Sequence, residues 1–364
     1  MIDVQANEGK AMRSFMDITM RRLSPAISAT LSILTIVGSV QASELVIMSS
    51  GGGFDEAMRK TVVEPFIAGH PDVTVIFAPP AYAAEQIVKF RASQGRSGVD
   101  LSMVAGGWQI QAINDGSYEN IDPAKVSNIA DLYPGTTMDG NYGPAIAMGR
   151  SGLAYLPAKA PKEPTSWEQL WDPAFKGHVA IPNPTHTAGL MLIDYIRRQN
   201  GDDCGDDDAT FARLAQLKAQ EPMFYNLATQ VRDGLANGSI WLAVNFDSQI
   251  SLLVEAGVDV KFVVPTEGAL ANPMFLNIVK GTGNKDLANE FINYYIAPET
   301  QKRWAQAVYY GPTNRLTKLE PPLANSVAYG EAGYAALKMP DWACIQKSQS
   351  RWADRWNREV LEAR

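Results

Sequence analysis

Apolar positions along this chain gather into short runs set between Gly, Pro, Asp and Ser. The runs are Leu45 to Met48, Val73 to Phe77, Leu101 to Val104, Val179 to Ile181, Ile240 to Val244, Val260 to Val264 and Phe275 to Val279. Their β-branched and aromatic content predicts strands. Other stretches carry a helical period: Asp55 to Phe66, and Asp286 to Ile296, where Leu287, Phe291, Ile292 and Tyr295 share one face and Asp286 stands at the expected N-cap. Pro298-Glu299-Thr300 then restarts a helix carrying Trp304. Alternation of the two element types predicts an α/β fold with mostly parallel sheets flanked by helices.

One longer apolar stretch, Leu23 to Val40, follows Arg21-Arg22 and ends in Val40-Gln41-Ala42. A basic start, an apolar middle and small residues before Ser43 predict that residues 1–42 are an upstream extension and a cleaved signal peptide. A retained membrane helix is the rival, disfavoured because the strand Leu45 to Met48 begins almost at once. With no cysteine at that cleavage point a lipid anchor is not expected, and the mature chain is expected to be soluble in a periplasm. In that oxidising space Cys204 and Cys344 either form one disulfide or stay as two buried thiols.

Composition narrows the chemistry. A net charge of −7 from 32 basic and 39 acidic residues lacks the footprint of a nucleic-acid binder, while 46% hydrophobic residues suffice for two domain cores. Gly149-Arg150-Ser151-Gly152-Leu153 fails as a nucleophile elbow, Glu56 stands where a dinucleotide fingerprint needs its third glycine, and there is no phosphate-binding lysine loop. His70, His178 and His186 have no partner at metal-ligand spacing, and the acidic stretch Gly201 to Asp208 lacks the ligand spacing of a calcium loop, so it reads as a solvated loop before a helix. Neither metal nor cofactor is expected.

Two strand-to-helix loops could present free backbone N–H groups to an anion. One is Ser49-Ser50-Gly51-Gly52-Gly53 and the other is Asn183 to Gly189, containing Thr185, His186 and Thr187. Each alone reads as a tight capped turn. Two of them in separate halves of the chain point to a shared cleft at the carboxyl ends of strands.

Three further segments carry a family resemblance: Thr165-Ser166-Trp167-Glu168-Gln169-Leu170-Trp171-Asp172-Pro173-Ala174-Phe175-Lys176-Gly177, Asn284 to Asn293, and Tyr310-Gly311-Pro312-Thr313-Asn314. From about Glu44 to its end the chain resembles the periplasmic solute-binding proteins of ABC importers, in the spermidine/putrescine-binding-like group with the type II periplasmic binding fold. The resemblance implies two hinged α/β lobes with the ligand between them: lobe 1 from residues 43–147 and 276–319, lobe 2 from 148–275. A C-terminal helical segment, 320–364, packs on the lobes, with Trp342, Trp352 and Trp356 expected in packing.

Carried over position by position, the resemblance places Gly107, Trp108, Phe246, Asp247, Asn272, Met274 and Tyr310 at the ligand, beside Ser50, Gly51, Gly52, Gly53, Thr185, His186 and Thr187 of the two loops. Polyamine binders in the group hold ammonium groups with carboxylates and aromatic faces. This chain departs from them. After Glu267-Gly268-Ala269 it has Asn272 and Met274 in place of tryptophan and aspartate, and Pro184 and Thr187 stand where acids are expected.

The expected function is therefore capture of a small nitrogen-containing solute bearing an acidic group, with Asp247 as a surface partner for its cation. Delivery to an inner-membrane ABC permease follows, and the protein is expected to act as a monomer and not as an enzyme. Polyamine binding, ferric-iron binding, a periplasmic enzyme using Asp247 and His186, and a sensor of the same ligand remain open as alternatives.

Overall fold

The structure is a computed structural model and describes residues 43–362, so the expected leader 1–42 lies outside the described residues. Eleven strands join in one sheet: β1 (Ser43–Met48), β2 (Val73–Phe77), β3 (Leu101–Ala105), β4 (Tyr118–Glu119), β5 (Ala145–Tyr155), β6 (Val179–Pro182), β7 (Met223–Tyr225), β8 (Leu242–Phe246), β9 (Lys261–Val263), β10 (Ala269–Val279) and β11 (Leu337–Lys338). The main path runs β2-β1-β3-β10-β5-β8-β6-β7. Outer strands pair in parallel, as β1 does with β2 and β3, and β6 with β7 and β8. The antiparallel pairings all involve β5 or β10, which accounts for the mixed character of the sheet.

Those two long strands tie the halves together. β5 pairs β10 from Ala145 to Ser151 and then β8 from Ser151 to Tyr155, while β10 pairs β5 before joining β3 over Met274 to Ile278. Separate cores flank the crossing. Leu45, Ile47, Phe66, Met103, Leu276, Phe291 and Trp304 fill one, and Leu153, Trp167, Phe175, Ile181, Leu192, Phe211 and Val244 fill the other. The parallel outer strands are therefore covered by helices, as buried parallel sheets require.

Most expected strands form near their predicted limits, but β5 was not foreseen. Its stretch Ala145-Ile146-Ala147-Met148-Gly149-Arg150-Ser151-Gly152 is poor in β-formers. All eleven of its residues are buried, so packing overrides local preference. Its glycines are needed for close approach: a Cβ on Gly149 would come 2.8 Å from Tyr310 Cε1, and one on Gly152 would come 2.5 Å from Phe262 Cζ. β10 starts six residues before the predicted Phe275 because Pro273, an apparent breaker, sits inside it and uses its carbonyl to accept the Gly106 N–H at 3.0 Å.

Helix Lys285–Tyr295 buries Ala288, Phe291, Ile292 and Tyr295, close to the predicted face. Its N-cap is Asn284 and not Asp286, which lies in the first turn and pairs with Lys125 at 2.6 Å. Among the described residues no helix is long and apolar enough to cross a membrane, and no acidic or histidine cluster could hold a metal ion.

The C-terminal helix Trp342–Arg355 is bound to the second core covalently and by packing. Cys204 and Cys344 form a disulfide, and Ile345, Trp352 and Trp356 join that core. The acidic stretch read as a solvated loop instead clasps this helix: Asp207 accepts from Arg351 at 2.7 Å and Asp208 from Arg355 at 2.8 Å. The other end reaches the first half of the sheet, where Gln346 Nε2 donates to the Gly107 carbonyl at 2.7 Å. Cys344→Ser should lower unfolding stability by about 2–4 kcal/mol, and wild type under reducing conditions should fall to the same value. Guanidinium unfolding of both proteins, with and without reductant, checks this.

Candidate functional site

A cavity of about 430 Å³ opens where the two halves of the sheet face each other. Ser50, Gly51, Gly53, Phe54 and Met103 wall it from the first half, and Ser248, Gln249 and Leu252 from the second; Met274 of β10 and Tyr310 stand between. Among the described residues no carboxylate or ammonium group lines it. Polar contacts there come from hydroxyls, an amide and glycine backbone, and the rest of the wall is apolar.

The glycine loop is built by the end of β1. Ser49, buried at the strand end, bonds the Asp55 carboxylate through its hydroxyl and accepts the Gly51 N–H at 3.1 Å. Gly51 at φ +81° and Gly52 at φ +71° occupy the left-handed region, and a Cβ on Gly51 would come 2.7 Å from Pro80. Phe54, one residue into helix Gly53–Met58, meets Trp304 and Tyr310 edge to face at 5.2 and 5.3 Å. Burial of the Tyr310 hydroxyl, with the negative charge of Asp247 nearby, pushes its pKa up to about 12, so the phenol stays neutral.

Asp247 opens helix Asp247–Glu255 and is 0% exposed. Its carboxylate accepts from Arg150 Nε at 2.9 Å and from the Ser248 N–H at 2.9 Å, so it lies beneath the wall and already faces a cation of the chain itself. Burial pushes this carboxyl up to about 6 although Arg150 pulls it down. Arg150, 7% exposed on β5, also packs its guanidinium 5.2 Å from the Phe262 ring centre. The expectation of a surface carboxylate thus meets a buried ion pair. Nothing in the local pattern marked Arg150, because its partner is 97 residues away.

Of the expected positions, Ser50, Gly51, Gly53, Met274 and Tyr310 meet at the cavity, while Gly52 sits in the loop without lining it. Thr185 donates its hydroxyl to Asn226 at 2.7 Å. His186 caps helix Thr187–Asn200 by accepting the Ala188 N–H, with Thr187 as the first helical residue. The His186 ring lies 5.8 Å from that of Phe246, and burial lowers its pKa, keeping it neutral. Trp108 begins helix Trp108–Asn114 after Gly107, and Asn272 lies on β10 opposite Gly149. None of this second group lines the cavity. Phe54, Met103, Ser248, Gln249 and Leu252 do, and were not foreseen: apolar wall residues look like core in a sequence, and Ser248-Gln249 differ from ordinary helix-start residues only by their place after Asp247.

Residues 99–348 match the family of bacterial extracellular solute-binding proteins. The chain is 27% identical over 285 residues to the gamma-aminobutyric acid-binding protein of Pseudomonas aeruginosa, covering 76% of this chain and 79% of that protein. It is also 27% identical over 246 residues to the spermidine/putrescine-binding periplasmic protein of Escherichia coli, covering 63% of this chain and 67% of the relative. An ABC transporter structure from Clostridium perfringens superposes with a TM-score of 0.77 at 28% identity, over 87% of this chain and 99% of that one.

Replacing only one member of the buried pair leaves the other charge uncompensated. Arg150→Leu should destabilise the protein by about 3–5 kcal/mol, whereas Arg150→Leu with Asp247→Leu should recover most of that loss. Because folding raises the Asp247 pKa, folding favours its protonated form, and the stability this gives is present below about pH 4 and lost as pH rises through about 6. Asp247→Asn should flatten that part of the profile; urea midpoints between pH 4 and 7 measure it.

Proposed function

The chain belongs to the bacterial extracellular solute-binding proteins, and on that footing we propose that it is the capture component of an ABC importer. Its solute is a small nitrogen compound that also carries an acidic group, of the ω-amino-acid kind. The observation that carries this reading is a cavity wall of hydroxyls, an amide, glycine backbone and apolar side chains, with no carboxylate among the described residues, joined to the pairing of Asp247 with Arg150. A desolvated di- or trication needs charged partners, and none of the described residues lining this cavity supplies one. A zwitterion asks for less: hydrogen-bond donors for its acid and aromatic faces, here Phe54 and Tyr310, for a single ammonium. The relatives named for gamma-aminobutyric acid and for spermidine/putrescine bracket the same choice.

In this reading lobe 1 comprises residues 43–147 and 276–319, lobe 2 residues 148–275, and 320–364 a C-terminal segment laid on both. Residues 1–42 direct export and are removed, leaving a soluble periplasmic protein without a lipid anchor that hands its cargo to an inner-membrane permease. A ligand touching Ser50 to Phe54 on one lobe and Ser248 and Gln249 on the other favours the closed arrangement, because only that arrangement offers both sets of contacts. Arg150 and Asp247 act beneath the site, holding the start of helix Asp247–Glu255 on β5. No serine of the cavity bonds a histidine or lysine among the described residues, which favours binding over catalysis.

Thermal unfolding of ligand-stripped protein against γ-aminobutyrate, 5-aminopentanoate, opines, aminophosphonates, putrescine, spermidine and ferric citrate tests the assignment. An acid-bearing amine should raise the midpoint, with stabilisation of about 2.7 kcal/mol at a hundred times its Kd. A rise with putrescine or spermidine alone, with ferric citrate alone, or with none of the panel, overturns it.

A further inference from the structure

The face of the sheet that carries Met274 at the cavity continues beyond it along β10 and β5. Met274 and Asn272 are two residues apart on β10 and so share a face of the sheet, and Asn272 lies opposite Gly149, against which Tyr310 packs. Ser151 is two residues beyond Gly149 on that same face, opposite Leu270 on one side and Phe246 on the other. This face therefore runs from the cavity residues Met274 and Tyr310 to Asn272, Ser151 and Phe246.

Buried polar atoms without a partner gather along it. Ser151 is 0% and Asn272 5% exposed, and neither Ser151 Oγ nor Asn272 Oδ1 has a hydrogen bond among the described residues. Trp342 Nε1 is a third such atom, supplied by the C-terminal helix. The Gly106–Gly107 turn connects them. Gly106 N–H donates to the carbonyl of Pro273, next to Asn272, while a Cβ on Gly106 would come 2.6 Å from the Trp342 ring and one on Gly107 2.9 Å from Trp342 Cβ. The two glycines thus let the indole lie directly on the turn. Buried polar groups left unpaired cost about 1–3 kcal/mol each, so two on one face of the sheet and a third on the turn beside it mark a place that favours a polar guest.

We propose that Trp342, with Ser151 and Asn272, forms the subsite that takes the acidic end of the solute. An indole N–H can only donate, a serine hydroxyl can donate, and the Asn272 amide can turn its NH₂ to the same point, so the set can give a carboxylate three donors, and the indole among them has nothing to offer an ammonium. This rests on the reading of the solute as an acid-bearing amine. It adds a contact from the C-terminal segment, whose tryptophans were expected only in packing, and it places the amine end towards Phe54 and Tyr310.

The test uses the full mature protein with γ-aminobutyrate and putrescine, four-carbon chains that differ by carboxylate against amine at one end, measured by calorimetric titration. Trp342→Phe keeps a ring on the glycine turn and removes the N–H. It should weaken γ-aminobutyrate by about tenfold or more, the worth of a hydrogen bond to a charged group, without a matching loss in whatever affinity the protein has for putrescine. Asn272→Leu should weaken γ-aminobutyrate in the same direction. As an independent readout, the ¹⁵N indole resonance that disappears in Trp342→Phe should shift when γ-aminobutyrate is added to wild type. Binding to wild type with no loss in Trp342→Phe and no shift of that resonance overturns the subsite and leaves the proposed function standing. Absence of γ-aminobutyrate binding to wild type overturns this subsite assignment, and silence of the whole acid-bearing panel overturns the proposed function with it.

Discussion

Antiparallel pairing of β5 with β10 is the constraint from which the remaining geometry follows. Two parallel-stranded halves can face each other across a cleft only if something crosses between them, and here the crossing is a pair of buried strands, each with one end in either half. Their register decides which side chains stand on the floor. A one-residue slip would turn Asn272, Met274 and Ser151 to the opposite face. It would also bring side chains to the places where Gly149 and Gly152 admit Tyr310 and Phe262.

Arg150 and Asp247 belong to that crossing. Removing two charges from water is costly, and their attraction repays it only with good geometry. The pair here is supplemented by the Ser248 N–H and by the Phe262 face beneath the guanidinium. Its work is positional: it fixes the first turn of helix Asp247–Glu255 to β5, so Ser248 and Gln249 emerge at the cavity edge while no net charge does. A cleft walled by hydroxyls, an amide and aromatic rings selects by shape and hydrogen bonding more than by charge.

Much of this was legible in the chain before folding. Val73 to Phe77 and Leu101 to Val104 announce themselves by β-branched and apolar runs, and the loop Ser49 to Gly53 by its glycines after a strand. β5 was hidden because alanine, glycine, serine and methionine carry little strand preference, and the start of β10 because Pro273 looks like a stop. At the site, Asp247 was found without its partner, since a long-range ion pair leaves no local pattern. Phe54 and Leu252 were missed because an apolar residue on a cleft wall is spelled like one in a core. Trp342 carried the same ambiguity, and only the two glycines pressed against its ring distinguish its setting.

β10 lies between β3 and β5 in the sheet but follows both by more than a hundred residues in the chain. The first half of the sheet therefore cannot close when its own early strands exist. It must wait until the whole second half and the stretch to Val279 have been made, whereas β6, β7 and β8 come from contiguous chain and can assemble directly. A nascent chain of this design exposes an unfinished sheet edge at β3 throughout that interval. The same threading that ties the two halves of the finished sheet together leaves that edge of the growing one unpaired until more than three-quarters of the chain has been synthesised.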